Sequence, residues 1–228
     1  MGHAGCAFHP LGRVLLLHWH RRKGTAANTI VTLRVFIAAI ALLTVCRFLG
    51  YGIPRRREVL GSFVIMGFLN NITPFSLIVW GQTHIASGVA SILNATTPLF
   101  TVLVAHMLTT DEKLSANKLA GVIIGFAGVA TMIGPAALSG ERSSLWGQLA
   151  ILGAAISYSF AGIFGRRFKA MGVAPLVTAT GQISASSLIL LPLAMIIDQP
   201  WTLAMPSGET WAALFGIALL STALAYLI

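Results

Sequence analysis

Apolar residues occur along the chain in seven long runs that are separated by short polar segments. Each run approaches the length of about 20 apolar residues that a helix needs to cross the hydrocarbon core of a bilayer. The pattern therefore predicts an all-α polytopic membrane protein whose main partner is the lipid bilayer. The seven predicted transmembrane helices cover approximately residues 29–49, 60–81, 84–108, 117–134, 145–165, 175–197 and 211–228.

The composition excludes several other classes of protein. The chain of 228 residues is 56% hydrophobic and only 9% charged, whereas about 25% of the residues of a typical soluble domain are charged. Its two cysteines are too few for a disulfide framework or a cysteine-based zinc site. The net charge of +9 does not indicate nucleic-acid binding, because no basic patch is interleaved with aromatic residues.

Basic residues are concentrated in every second connecting segment. The segments 47–58, 109–118 and 166–174 together carry nine of them, whereas Arg142 is the only one between the fourth and fifth spans. Since basic loops stay in the cytoplasm, we predict that these three segments are cytoplasmic and that the first span enters from outside. The predicted location is the cell (inner) membrane, which the chain crosses several times.

Residues 1–28 form an atypical basic tail. In the predicted topology its basic residues lie on the outer side, against the charge rule, so we expect either a preceding helix or an aberrant start of the chain. These residues are Arg13, Arg21, Arg22 and Lys23. The tail also contains four histidines, but their spacing matches no closed metal site, and we predict no metal or other cofactor.

A weak internal repeat relates the two halves of the chain. A shift of about 151 residues, the separation of Glu58 and Glu209, also pairs Asn71 with Thr222 and lays span 175–197 over the first span. The order and spacing of spans predict a parent architecture of two five-helix units, of which this chain carries helices two to eight. Units with an odd number of helices have opposite orientations, and such inverted repeats are typical of secondary transporters.

Two stretches resemble the EamA family of the drug/metabolite transporter superfamily. The first reads SGVASILNATTPLF over 87–100, followed by DEKLS over 111–115 and a glycine-rich run over 121–129. The second, LLSTALAY over 219–226, is similar to the family's eighth helix. The resemblance implies ten helices in inverted five-helix repeats, cytoplasmic termini, and transport of small metabolites or drugs that is often proton-coupled.

The resemblance also implies a domain organisation. Residues 29–134 correspond to a first repeat that lacks its first helix, and residues 145–228 to a second repeat that lacks its last two helices. We therefore expect this chain to be truncated at both ends relative to the family.

Polar residues around Pro74 form the first candidate for substrate binding. Pro74 has no backbone N–H and predicts a kink that frees the carbonyl group of Asn70. With Asn71 and Thr73 beside it, this point is a candidate polar site at mid-membrane depth. The alternative is a kink whose free groups are satisfied by the neighbouring side chains.

A stripe of small and polar residues in span 84–108 forms the second candidate. Its members recur at helical spacing on one face of a single helix and are Ser87, Ser91, Asn94, Pro98, Thr101 and Ala105. Asn94 and the neighbouring Thr97 are candidate substrate ligands on one wall of a cavity. The alternative is close packing of helices, with Asn94 bonded across the interface.

Later spans supply three further candidates, Tyr158, Ser184 and Tyr226. A tyrosine bonded to a neighbouring helix is an equally good interpretation of Tyr158 and Tyr226. Several structural roles are predicted elsewhere: glycines 121, 125 and 128 for close helix packing, Glu112 for compensating the N-terminal dipole of the helix that follows it or for capping that helix, and Arg34 for reaching the outer interface or an anionic group. His84 and His106 are minor candidates for proton coupling.

We predict a membrane permease or exporter of small organic solutes that works by alternating access. The alternative is an incomplete or inactive fragment, or a subunit that needs a partner chain, including a second copy in a homodimer. An intramembrane enzyme is disfavoured, because Ser91 and His106 lie about 22 Å apart on one helix at 1.5 Å per residue. The residues do not indicate which solute is carried.

Overall fold

The computed structural model describes residues 25–138 and 142–197, together with Gly208 and Gly216, and all regular structure within them is helical. Helix α1 (Thr25–Phe48) is the first crossing. The second crossing consists of α2 (Arg57–Gly67), a π-helical turn (Phe68–Ile72) and α3 (Thr73–Gln82), and the third of α4 (Ser87–Asn94) and α5 (Thr97–Leu108). Three single helices follow: α6 (Ala116–Leu138), α7 (Arg142–Ala170) and α8 (Pro175–Ile197).

Six predicted membrane crossings are confirmed among the described residues. They are long and apolar enough to span a bilayer, and they extend over Val31–Phe48, Arg57–Gln82, Ser87–Leu108, Ala116–Gly134, Ser144–Ala170 and Pro175–Ile196. The fold is thus that of a polytopic all-α membrane protein. The seventh predicted span, 211–228, lies outside the described residues apart from Gly216, as do residues 1–24 of the basic tail.

Two long helices organise the bundle. Helix α7 packs against α3, α4, α5 and α6, while α8 packs mainly against α1 and α2. The contact of α1 with α8 buries Val35, Leu42 and Ile183 in one apolar cluster. Leu93 and Ile151 are fully buried in another cluster where α4 meets α7.

Small residues allow α3 and α7 to cross closely. A Cβ atom on Gly147 would lie 2.8 Å from the Cβ of His84, and one on Gly81 would lie 2.9 Å from the carbonyl oxygen of Gly147. Real Cβ atoms do not approach so closely, so the crossing depends on glycine at both positions. This crossing therefore fixes the position of α7, which packs against α3, α4, α5 and α6.

Helix α7 is longer at its basic end than the predicted loop 166–174 allows. Residues Arg166–Ala170 continue the helix, so that part of the loop prediction is wrong. The helix ends at Ala170. In the turn that follows, Gly172 has a φ of 69°, which is accessible to glycine, and the N–H of Val173 donates to the carbonyl oxygen of Phe168 at 2.9 Å. Arginine and lysine favour the last turn of a helix because they compensate its dipole.

The prediction of one continuous helix over 84–108 is wrong in the middle. The helix is interrupted at Ala95–Thr96, directly before Thr97 and Pro98. The predicted stripe consequently does not form one buried face: Ser91 and Pro98 are exposed, while Ala105 is buried.

The predicted close packing of the glycines in α6 holds at one position. A Cβ atom on Gly125 would lie 2.4 Å from Leu99 of α5, whereas Gly121 and Gly128 have nothing within 4 Å among the described residues. Only 6% of the span Ala116–Gly134 is buried inside the described bundle. Helix α6 is therefore peripheral, and most of its surface is open to lipid or to another helix.

Candidate functional site

The second crossing is distorted where Pro74 predicts a break. The distortion is a π-helical turn, in which the N–H of Thr73 donates to the carbonyl oxygen of Phe68. A π-helical turn widens the helix and leaves backbone groups that the regular ladder would use. One of them, the carbonyl oxygen of Leu69, accepts a hydrogen bond of 2.7 Å from Ser157 of α7.

The two asparagines of this turn face α8. Asn70 Nδ2 donates to Gln182 Oε1 at 3.3 Å, and Asn71 Nδ2 donates to Ser186 Oγ at 3.0 Å. Asn71 is only 1% exposed. We call Asn70, Asn71, Gln182 and Ser186 the amide cluster; these two hydrogen bonds join the π-helical turn to α8.

The amide cluster requires the helices to approach closely. A Cβ atom on Gly67 would lie 2.6 Å from Ser186 Oγ and 2.8 Å from the carbonyl oxygen of Gln182. Ser186 Oγ in turn donates to the carbonyl oxygens of Gln182 and Gly67, at 2.7 and 3.2 Å. This glycine thus brings the π-helical turn within reach of the polar face of α8.

A second polar region lies at the interruption of the third crossing. Pro98 has no N–H to donate to the carbonyl oxygen of Asn94, and Thr97 Oγ1 donates to that oxygen instead, at 2.7 Å. The carbonyl oxygen of Thr97 accepts from Ser159 Oγ at 3.0 Å, and Thr101 Oγ1 donates to Ser159 at 3.2 Å. We call Asn94, Thr97, Thr101 and Ser159 the threonine cluster.

The two breaks share a sequence that prediction missed. Asn70–Pro74 and Asn94–Pro98 both read Asn-x-x-Thr-Pro, in consecutive crossings. Each places an asparagine four residues before a proline, which removes the helical hydrogen bond that its carbonyl would receive. The recurrence of this five-residue pattern in the sequence would have predicted both breaks.

Helix α7 connects the two clusters. Ser157 contacts the turn of the second crossing and Ser159 contacts the break of the third, so the motif Ser157-Tyr158-Ser159 contacts both. Tyr158 lies half-buried between these two serines. Of the predicted candidates, Asn70 and Asn71 are thus brought together with α8 and Thr97 with α7, while the backbone of Asn94 is bonded to Thr97.

Three predicted residues hold buried polar atoms that find no hydrogen-bond partner among the described residues. They are Asn71 Oδ1, Asn94 Oδ1 and Ser184 Oγ. A buried polar group without a partner is costly, and in native proteins it commonly marks a place that serves function. Thr73 is half-buried at the start of α3, and Tyr226 lies outside the described residues.

The regions of Glu112 and Arg34 contain contacts that the sequence did not predict. Ser115 Oγ, not Glu112, accepts from a backbone N–H at the start of α6, that of Lys118, at 3.4 Å. Arg34 lies over the ring of Phe75 at 4.4 Å, an arrangement that neither predicted alternative included.

The two histidines lie at opposite ends of the bundle. His84 Nδ1 lies 2.8 Å from Thr83 Oγ1 in the connection between α3 and α4, whereas His106 Nδ1 accepts from the N–H of Leu114 beside the α5–α6 connection. Both are exposed at the ends of their crossings, so neither lies beside the two polar clusters.

A model of the EamA-like transporter family matches residues 20–134, just over half of the chain. The chain belongs to the EamA-like transporter family. This membership, together with six membrane-spanning helices, makes it a multi-pass membrane protein of a transporter family. The matched residues contain both Asn-x-x-Thr-Pro breaks of this EamA-like chain.

Relatives of this EamA-like chain are named as transporters. "Uncharacterized transporter YoaV" of Bacillus subtilis is 27% identical over 202 residues, which cover 86% of this chain and 66% of that protein. "Uncharacterized inner membrane transporter YedA" of Escherichia coli is 29% identical over 202 residues, covering 86% and 63%. The chain therefore spans slightly less than two thirds of the length of either relative.

Two further comparisons concern a substrate class and the fold. A "Probable terminal-alkyne amino-acid exporter" of Streptantibioticus cattleyicolor is 29% identical over 117 residues, covering 51% of this chain and 39% of that protein. A solved crystal structure superposes with a TM-score of 0.64 at 18% identity, covering 95% of this chain and 75% of that one. The superposition shows that the two chains share a fold.

Proposed function

We propose that this chain is a permease or exporter of small organic solutes that works by alternating access in the inner membrane. The observation that supports it most directly is the pair of helix breaks in consecutive crossings, both bonded to α7. Transporters place discontinuous helices around their substrate sites, because irregular backbone supplies polar groups inside the membrane. The name of the relative YedA supports the inner membrane as location.

The chemistry of the two clusters favours an uncharged or zwitterionic solute. Their side chains are amides and hydroxyls. Among the described residues the one carboxylate inside a crossing, that of Glu58, lies in the first turn of α2, at the end of the bundle and away from both clusters. The side-chain oxygens of Asn71 and Asn94, which have no partner in the part of the chain that the structure describes, are amide oxygens able to accept a hydrogen bond from a solute. The amino-acid exporter of S. cattleyicolor is a relative whose named substrate offers such donors.

The proposal includes an organisation into two repeats, residues 29–134 and 145–228. The sequence offset of about 151 residues lays α8 over α1, and these two helices pack along each other in the structure. Equivalent helices of inverted repeats meet in this way near a pseudo-two-fold axis.

Transport by the 228-residue chain in proteoliposomes tests this function. A panel of radiolabelled neutral amino acids should show saturable uptake above that of protein-free liposomes. Asn94→Ala should reduce this uptake, whereas Asn117→Ala, which truncates an exposed asparagine at the start of α6, should leave it unchanged. Uptake equal to that of empty liposomes for every solute would contradict the proposal.

A second candidate function is that of a subunit completed by a partner chain, including a second copy of itself. The observation that favours it is the open surface of α6, where Gly121 and Gly128 face nothing within 4 Å among the described residues. Small residues allow membrane helices to associate closely. Gly121→Leu should then shift the protein from dimer to monomer in light scattering, whereas a monomeric unmodified chain would exclude self-association.

A further inference from the structure

All carboxylates in the described part of the chain pair with two adjacent arginines of α7. Arg166 donates to Glu112 at 2.8 Å and lies 3.8 Å from Asp111, and Arg167 lies 3.6 Å from Glu58. These five residues, which we call the arginine clamp, lie at the end of the bundle where the basic connections lie. The clamp joins three separate pieces: the start of α2, the α5–α6 connection and the end of α7.

The ion pairs of the clamp are poorly suited to holding the fold together. The side chains of Arg166 and Arg167 are 44% and 47% exposed, and those of their partners are similarly or more exposed. Exposed ion pairs contribute little net stability, because water screens the attraction and two long side chains must be immobilised. Because each ion pair contributes so little, the segments that the clamp joins can separate and rejoin at a low cost in free energy.

An apolar layer lies directly beneath the clamp. It contains the stacked rings of Phe63 and Phe168, with centroids 5.4 Å apart, and Phe164, which also lies under the guanidinium group of Arg167 at 5.2 Å. Phe63 and Phe168 are buried, both 2% exposed, and Phe164 is half-buried. A Cβ atom on Gly181 of α8 would lie 2.6 Å from the ring of Phe63, so α8 closes this layer from the other side.

We propose that the arginine clamp and this aromatic layer close the basic face of the transport pathway, and that they separate when that face opens. The inference rests on the proposed function, since alternating access requires each face to be closed in turn. Arg166 and Arg167 are then gating residues rather than substrate ligands. The amide and threonine clusters remain the substrate site.

A native thiol reports on the closure. Cys46, at the end of α1, is 2% exposed and belongs to the same apolar cluster as Phe63 and Phe168. Its Sγ lies 3.1 Å from Thr180 Oγ1 of α8. Opening of the basic face exposes this thiol, so its alkylation rate measures how often the closure separates.

The experiment uses the full 228-residue chain with Cys6→Ser, reconstituted in liposomes and labelled with N-ethylmaleimide. Arg166→Gln and Arg167→Gln should each raise the rate of Cys46 labelling about two- to fivefold, the factor that a half-exposed ion pair contributes. The matched control is Lys169→Gln, since Lys169 is an exposed cation on the same turn without an ion pair among the described residues. It should label at the unmodified rate.

Two further measurements address variants that simply loosen the protein. The charge exchange Glu58→Arg with Arg167→Glu should restore slow labelling, which a damaged fold would not do, because Glu58 is the carboxylate that lies beside Arg167 among the described residues. In the Cys6→Ser chain without further substitutions, raising the ionic strength from about 0.05 to 0.5 M should accelerate Cys46 labelling, because salt screens exposed ion pairs. This second measurement needs no substitution in the clamp.

The outcomes separate this proposal from the proposed function. Unchanged labelling in both arginine variants, or an equal rise in Lys169→Gln, would overturn the clamp even in a chain that transports solutes. Faster labelling with rescue by the charge exchange supports the clamp even if no solute in the panel is transported.

Discussion

At the scale of single residues, the hydrogen bond from Asn71 to Ser186 is one of two that join the second crossing to α8 in the amide cluster. Removing the acceptor and removing the donor of this bond should have different effects on stability. Ser186→Ala removes the acceptor and leaves the buried Asn71 amide donor unpaired, which should lower the free energy of unfolding by about 1–3 kcal/mol. Combining it with Asn71→Leu removes the unpaired donor as well, so the double variant should regain stability. Thermal unfolding in detergent measures both.

The expectation is contradicted if the double variant loses as much stability as Ser186→Ala and Asn71→Leu lose together. Such additivity would mean that the two side chains contribute to stability independently of the bond between them. The double variant also separates structure from function. It should remain folded but lose transport, since it removes the polar groups of the proposed site.

At this same scale, the sequence predicted the polar positions better than their partners. The predicted polar residues that lie at helix breaks are Asn70, Asn71, Asn94 and Thr97. They could be predicted because polar side chains are costly inside an apolar run and therefore mark positions with polar partners or a function. Ser186 was not predicted, since its contact depends on how α8 is rotated against the second crossing. Hydropathy does not specify that rotation.

At the scale of helices, the two prolines should matter for transport rather than for stability. Pro74→Ala and Pro98→Ala restore a backbone donor and remove a helix breaker that costs about 3 kcal/mol in a regular helix. Thermal stability should therefore be unchanged or higher, while transport of any solute found in proteoliposomes should fall. Pro192→Ala is the matched control, because Pro192 lies inside α8 and is exposed.

The proposed role of the breaks fails if Pro74→Ala and Pro98→Ala transport as fast as Pro192→Ala. A loss of stability instead would show that the surrounding helices have adapted to the break, as the bond from Ser157 to Leu69 allows.

The crossing of α3 and α7 leads to a prediction about stability alone. Gly147→Leu places a side chain where His84 and the Gly81 carbonyl group already lie, so the helices must separate. Overpacking typically costs about 1–3 kcal/mol, and the melting temperature should fall. Gly162→Leu on the same helix is the control, since Gly162 has nothing within 4 Å among the described residues. Equal melting temperatures would show that the crossing tolerates displacement.

The positions of the crossings could be predicted from the sequence, whereas some helix boundaries could not. The apolar runs predicted seven crossings, and the six that lie among the described residues are confirmed, because length and hydropathy suffice for that. They did not predict that Arg166–Ala170 continues α7, because those polar residues are held by a glycine turn and by carboxylates from distant segments. Proline predicted the position of the second-crossing distortion but not its π-helical form.

At the scale of the whole molecule, the remaining question is which way the bundle faces. The end that carries the arginine clamp also carries the basic connections, and the charge rule predicts that this end is cytoplasmic. The proposed gate would then close the pathway toward the cytoplasm. The orientation therefore determines from which side of the membrane the proposed substrate site is closed by the aromatic layer.

Cysteine labelling of intact cells measures this orientation. In a Cys6→Ser background, Thr83→Cys should react with a membrane-impermeant maleimide in intact cells, because it is exposed in the connection at the opposite end. Tyr51→Cys, exposed among the basic residues, should react only after the cells are permeabilised. The Cys6→Ser chain without an added cysteine gives the background labelling of Cys46, which is subtracted in both. The reverse pattern would place the basic loops outside, against the charge rule, and would make the arginine clamp an outer gate.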